Sequence, residues 1–279
     1  VRNAEFINQR QRVMGNGQVN WSPASWFNLS SNFSYDRTQR QRQELLPRGF
    51  KDVDGPTPGE LTRDNFTDEA INASVTAGIN KALGDFVTRT RVRYLYEDQN
   101  FNSVFASGSN FAVEQTPTLG ALTSGFSIDD EEREVVSHGY FLISNWEYQE
   151  KYILDLLVRR DGSSLFGPEE RWQTYYRGSA AYRVSEESWW PFDESITDMR
   201  LRASYGTAGG RPNFYAQYET YDVGAGGSVS PSTLGNENLQ PEFSKEQEYG
   251  VNMTLFDRLA VEVVHDRSNT EDQILEVPL

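Results

Sequence analysis

Hydrophobic residues in this chain recur at every second position rather than every third or fourth. Tyr152, Leu154, Leu156 and Val158 fall on one face of an extended segment, while Asp155, Arg159 and Asp161 fall on the other with Ile153 and Leu157. A period of two belongs to strands, not helices. The segment ends in a Gly-rich reversal, Asp161-Gly162-Ser163-Ser164-Leu165-Phe166-Gly167-Pro168. The chain returns through Arg171-Trp172 into Tyr176, Gly178, Ala180, Tyr182 and Val184, with Arg177 and Arg183 on the opposite face. An apolar face backed by a charged one predicts a pair of strands standing between lipid and water.

The same alternation predicts further strands around Val13–Trp21, Phe27–Tyr35, Ile71–Asn80, Phe86–Tyr96, Glu134–Tyr148, Met199–Tyr205, Tyr249–Leu255 and Leu259–Val263. Ten strands result. Tight or medium connections follow the odd ones, at Ser22-Pro23-Ala24, Leu83-Gly84-Asp85, Gln149-Glu150-Lys151, 185–197 and Asp257-Arg258. Longer connections follow the even ones, at 38–67, through Gly108, Pro117, Gly120 and Gly125, and at 206–241, all rich in turn formers, although the reversal at Gly162 is short. Short turns at one end and long loops at the other are the asymmetry of an outer-membrane barrel. Trp21, Trp26, Tyr148, Tyr152, Trp189 and Trp190 lie near the short turns and suit an interfacial aromatic girdle.

Composition sharpens this picture. Aromatic residues make up 13% of the 279 residues and glycines number 22, which favours strands and tight turns and predicts an all-β chain. The mean hydropathy of −0.66 would suit a protein in water. Barrel strands keep that value low, however, because only every second residue meets lipid. A net charge of −15 argues against a nucleic-acid surface, which needs clustered cations. Arg89, Arg91 and Arg93 share a strand face, but Thr88, Thr90, Val92 and Tyr94 on the other face form no base-stacking platform. The chain has no cysteine, and His138 and His265 alone make no typical zinc site, so neither a metal nor a cofactor is expected. The opening at Val1 in polar sequence, without a Met or a signal peptide, reads as an internal fragment or a processed chain.

Candidate chemistry is sparse. Asp161-Gly162-Ser163-Ser164 lacks the Gly-x-Ser-x-Gly frame of a hydrolase elbow and the acidic spacing of an EF-hand, and Asp and Gly suit a turn. Asp129, Asp130, Glu131 and Glu132 read as a solvated loop edge, and Gly224-Ala225-Gly226-Gly227 as loop slack. Arg89, Arg91, Arg93, Asp155, Arg159, Arg200 and Arg202 are placed on the charged face, where they can pair with one another, and Phe214, Tyr215 and Tyr218 fall in a long loop.

The blocks from Tyr152 onward resemble the SusC/RagA family of TonB-dependent outer-membrane transporters. Arg159, Asp161, Gly162, Ser163, Ser164, Phe166, Gly167, Arg171 and Trp172 match its Arg-x-Asp-Gly-Ser-Ser-x-Phe-Gly and Arg-Trp pattern. The segments 179–187 and 201–206, then Gly235-Asn236, Leu239 and Glu242, and Thr270, Asp272, Ile274, Leu275, Pro278 and Leu279 continue the likeness in order. Residues 1–135 match in strand rhythm, while His265 and Gly209-Gly210-Arg211 depart from the pattern.

The resemblance implies an antiparallel transmembrane β-barrel of 22 strands, of which residues 1–279 supply about ten. The plug, the signal peptide and the last strands would be absent. It also implies TonB-dependent import of oligosaccharides or peptides across the outer membrane of a Gram-negative bacterium, with no catalytic residue. The implied partners are outer-membrane lipid, a SusD-like surface lipoprotein and, through the missing N-terminal part, the TonB complex. In such a barrel the face bearing Arg89, Arg91, Arg93, Asp155, Arg159, Arg200 and Arg202 would line the lumen and meet the plug or cargo, and Phe214, Tyr215 and Tyr218 would lie in an outer loop that meets cargo or the lipoprotein. A siderophore or cobalamin receptor and a soluble glycan-binding β-sandwich or propeller are the competing readings.

Overall fold

The computed structural model describes residues 3–275 except Asp54, Glu114, Gln115, Ala225 and the side chain of Asp52, so Ala225, Pro278 and Leu279 of the segments above lie outside the described residues. The strands are β1 (Glu5–Ala24), β2 (Phe27–Leu46), β3 (Lys51–Asp52), β4 (Gly55–Pro56), β5 (Glu60–Leu83), β6 (Phe86–Phe111), β7 (Leu122–Tyr148), β8 (Tyr152–Ser163), β9 (Trp172–Arg183), β10 (Ile196–Gly209), β11 (Glu219–Val223), β12 (Val229–Leu234), β13 (Phe243–Leu255) and β14 (Leu259–Glu271). Ten of them form one antiparallel sheet in the order β1-β2-β5-β6-β7-β8-β9-β10-β13-β14, so the expected ten all-β strands are present and each pairs with its neighbour in the chain. β3 with β4 and β11 with β12 make small hairpins within the longer connections. Only short 3-10 turns interrupt the strands among the described residues, and no helix is long and apolar enough to cross a membrane.

Two of the long connections are shorter than expected. β2 continues to Leu46 and β5 begins at Glu60, so the connection is 47–59 rather than 38–67. These extensions carry polar residues on both faces, which hides them from a search for alternation. Cross-strand polar contacts hold them: Arg40 Nε donates to Asn8 at 3.0 Å and Arg63 Nε to Gln43 at 3.1 Å. Likewise β6 runs to Phe111 and β7 starts at Leu122, taking in Gly108, Gly125 and the acidic run 129–132, which therefore stands in a strand and not at a loop edge. Gly108 is there for close packing, since a Cβ would press on Leu122 and Phe126. The connection 206–241 also holds more structure than expected, namely a 3-10 turn and the β11–β12 hairpin.

The chain divides into two compact units. In the unit made of 1–17, 33–72 and 97–135, Leu45, Leu61, Phe111 and Leu122 form a buried cluster with Leu119 and Ala121 packed against it. Two connections meet over that cluster. Asn110 N donates to the Gly59 carbonyl at 2.8 Å and Phe111 N to the Pro58 carbonyl at 3.2 Å. Gly59, at φ +90°, lies so close to the Phe111 ring that no side chain fits. Leu61 is fully buried, a contribution of about 1.5–3 kcal/mol.

The other unit comprises 18–32, 73–96 and 136–279. Its hairpins are closed by tight turns. Gln149 and Glu150 have φ of 52° and 58°, and Phe256 and Asp257 both have φ of 53°, the paired left-handed residues that match strand twist. The last turn thus centres one residue earlier than Asp257-Arg258.

Candidate functional site

The register of the second unit sorts its side chains into two faces. Asn145 stands opposite Asp155, Asp155 opposite Ser179, Ser179 opposite Ser204 and Ser204 opposite Glu248, so one face carries a polar row across five strands. The next row on the opposite face reads Trp146, Leu154, Ala180, Ala203 and Tyr249. Alternation along each strand keeps the two sets apart.

All the charged residues expected on one face whose contacts are fixed here lie on the polar one. Arg89 Nη1 donates to Asn145 at 3.1 Å and lies 3.8 Å from Glu147. Asp155 accepts from Asn145 Nδ2 at 2.7 Å and from Ser179 Oγ at 3.5 Å. Arg159 pairs with Asp161, and its guanidinium sits 5.5 Å from the Phe141 ring and 5.8 Å from Tyr175. Arg93 approaches the same Phe141 ring at 6.0 Å. Arg202 bridges two strands, 3.4 Å from Glu248 and 2.6 Å from Glu262.

Arg200 stands directly opposite Arg183, and the Nε atoms of both are buried with no hydrogen-bond partner. Like charges facing across a ladder repel. Asn145, Ser179 and Glu248 complete this surface, yet nothing in their local sequence marks them. Register alone assigns them as partners.

The apolar face carries two aromatic bands. Near the short turns Tyr152 stacks on Tyr182 at 4.8 Å and 9°, and Tyr148 lies 6.2 Å from Tyr152. The Tyr152 and Tyr182 hydroxyls donate to Glu187 at 2.7 and 3.2 Å, and Lys151 Nζ reaches the same carboxylate at 3.2 Å. The Tyr152 hydrogen bond holds the Glu187 carboxyl below the usual carboxylate range. Trp190 Nε1 donates to the Ile196 carbonyl at 3.1 Å, with Trp189 beside it, and Lys81 sits 5.3 Å from the Trp26 ring. Trp21 is exposed on β1.

The second band, not anticipated from sequence, gathers Tyr94, Tyr96, His138, Tyr140 and Trp172. Tyr94 Oη lies 2.9 Å from His138 Nδ1. Gly162 is opposite both His138 and Trp172, and the Trp172 ring covers it so closely that a Cβ would strike it. From Tyr148 to His138 a strand covers roughly 34 Å, and at a tilt of about 40° this is roughly 26 Å, the height of a barrel's apolar band. The polar Thr90 and Ser144 within it bond to each other at 2.7 Å.

The Asp161–Pro168 reversal is a packing junction. Ser164 N donates to the Val136 carbonyl at 2.9 Å, Val136 N donates back to Ser164 Oγ at 3.0 Å, and Ser163 Oγ accepts from Leu165 N at 3.3 Å. Leu165 and Phe166 are buried. A Cβ on Gly167 would collide with the Glu237 carbonyl. Arg171 lines a cleft of about 30 Å³ with Arg159, Asp161 and Tyr175.

The buried Gln217 donates from Nε2 to the Ser164 carbonyl at 2.7 Å, pinning the 3-10 turn Phe214–Gln217 onto this junction. Phe214 lies 5.2 Å from Tyr215 and 5.6 Å from Tyr218, while Tyr215 and Tyr218 keep much of their surface exposed. Among the described residues no group of His, Asp and Glu is arranged to hold a metal ion.

Known proteins resemble this chain in sequence and fold. Residues 2–279 match the family described as TonB dependent receptor-like, beta-barrel. TonB-dependent receptor P39 of Formosa agariphila is 31% identical over 273 residues, covering 94% of this chain and 26% of that protein. TonB-dependent receptor SusC of Bacteroides thetaiotaomicron is 28% identical over 117 residues, or 37% of this chain and 12% of SusC. Among solved structures, the RagAB peptide transporter superposes with a TM-score of 0.87 at 20% identity, over 99% of this chain and 32% of that one. The siderophore receptor PiuA from Acinetobacter baumannii gives 0.55 at 14% identity, over 93% and 40%. The chain therefore spans about a quarter of P39 and about a third of the RagAB chain it matches.

Proposed function

Since this chain belongs to the TonB dependent receptor-like β-barrel family, we propose that it forms part of the wall and outer loops of an outer-membrane transporter that imports oligosaccharides or peptides. The observation that carries the reading is the two-faced sheet: an apolar face bounded by two aromatic bands, against a face of paired charges. A wall between hydrocarbon and a watery lumen needs both faces. A soluble sandwich or propeller would instead bury its apolar face, and here Trp146, Tyr152, Leu156, Val158 and Tyr176 are exposed on it.

In this reading the turns at Gln149 and Phe256 face the periplasm and the 206–241 connection faces outward. Import draws energy from the TonB complex, and a SusD-like lipoprotein meets the outer loops near Phe214, Tyr215 and Tyr218. The face bearing Arg89, Arg91, Arg93, Asp155, Arg159, Arg200 and Arg202 lines the lumen, where plug or cargo can meet it. The chain supplies a passage and no catalytic group. RagAB is a peptide transporter, and its fold agrees with this chain more closely than that of the siderophore receptor.

Disruption of the gene in its host tests the proposal. Uptake of labelled oligosaccharide or peptide mixtures should fall to the level of a TonB-deficient strain, and growth on them as sole nutrient should fail. A defect confined to iron-limited medium would replace the proposal with siderophore import.

A further inference from the structure

The apolar face is not uniformly flat. Ala180 and Ala203 are cross-strand partners at the floor of a groove of about 490 Å³ walled by Trp146, Leu154, Tyr182 and Leu201. That volume falls in the range of sites that hold small molecules. At one end, Tyr152 and Tyr182 both line the groove and donate their hydroxyls to Glu187, which also pairs with Lys151.

Resting on the reading of this face as lipid-facing, we propose that the groove seats one acyl chain of a phosphatidylethanolamine-type phospholipid, with the headgroup held at Lys151 and Glu187. A plain apolar wall would retain no lipid, because hydrocarbon tails gain nothing from leaving other tails for leucines. This groove differs in two respects. Its alanine floor lies between larger aromatic and leucine side chains, and beside its end stand charges of both signs.

Lys151 Nζ has three donors and spends one on Glu187, leaving the others for a phosphate. The Glu187 carboxylate is the complementary acceptor for the headgroup ammonium. The tyrosines tie the two parts together, since the same rings wall the chain and orient the carboxylate.

The test uses the full-length protein purified from outer membranes in mild detergent, with retained phosphatidylethanolamine counted by native mass spectrometry and lipid extraction. The wild type should hold roughly one lipid per chain through washing. Ala180→Phe fills the groove and should lose it, whereas Val158→Phe, on the same face but outside the groove, should retain it. Lys151→Gln leaves the groove open and should weaken retention roughly two- to fivefold, the size of one ionic contact near a surface.

Equal retention by wild type and Ala180→Phe overturns the proposal. So does a wild-type dimer, free of lipid, that Ala180→Phe dissociates, which would assign the groove to a second copy. Fractionation of the wild type away from the outer membrane would instead sink the underlying reading of the face, an outcome seen before any lipid is counted.

Discussion

Glu187 illustrates how a single side chain at the end of a strand records its surroundings. Tyr152 donates to its carboxylate, Tyr182 and Lys151 add to the stabilisation, and the carboxyl titrates below its ordinary value of 4.5. A depressed carboxyl contributes stability that is present above the ordinary value and is lost as pH falls through the folded one. Denaturation of wild type and Glu187→Gln should therefore differ at neutral pH and converge in acid, with the wild type the more stable at neutral pH. Gly167 makes a different point. A methyl group there meets the Glu237 carbonyl, so Gly167→Ala should cost about 1–3 kcal/mol in the outer junction. Limited proteolysis should then cut 210–241 faster while the sheet persists. The motif around Gly167 was legible in sequence as a turn and as a family signature. Its role as a junction was not, because Gln217 and Glu237 are remote in sequence and nothing local announces contact with them.

At the level of the strand, β8 gives a direct test of the two faces. Leu156 and Leu157 are adjacent and chemically identical, yet Leu156 pairs with Ser144 and Gly178 on the apolar face and Leu157 with Ile143 and Arg177 on the polar one. Leu156→Arg should destabilise the folded protein in lipid by about 2–4 kcal/mol, whereas Leu157→Arg should be far milder. Denaturant titration in bilayers measures both. Alternation made such central stretches readable without a structure, as in Tyr152–Val158 and Ile71–Asn80. It failed where strands leave the apolar band. The segments 38–46, 60–67 and 97–111 are polar or mixed on both faces and contain turn-forming residues, yet the ladder continues through them. The second aromatic band was missed for a related reason. Tyr94, His138 and Trp172 lie on three strands and become one feature only once the register aligns them.

At the scale of the whole sheet, β1 and β14 each have one neighbour among the described residues, and β1 exposes Phe6, Val13, Val19 and Trp21. Unpaired backbone groups in lipid cost several kcal/mol each and invite pairing with other chains. Residues 1–279 produced alone should therefore be recovered as aggregate, as size-exclusion chromatography in detergent would show. The same strands set into a closed barrel should be monodisperse. The ten-strand count and sheet order could be read from sequence because each strand pairs with the next, a topology that needs no long-range information.

The tight turns at 149–151 and 256–258 bear on how such a chain can change through descent. They lock neighbouring strands in phase, so one residue gained or lost within β8 or β13 would turn every later side chain of that strand to the wrong side, sending Asp155 and Arg159 into hydrocarbon. Two residues would merely lengthen the strand. Insertions and deletions among relatives should thus follow a parity rule within the wall, appearing in pairs, while the connections at 47–59 and 206–241 accept any number.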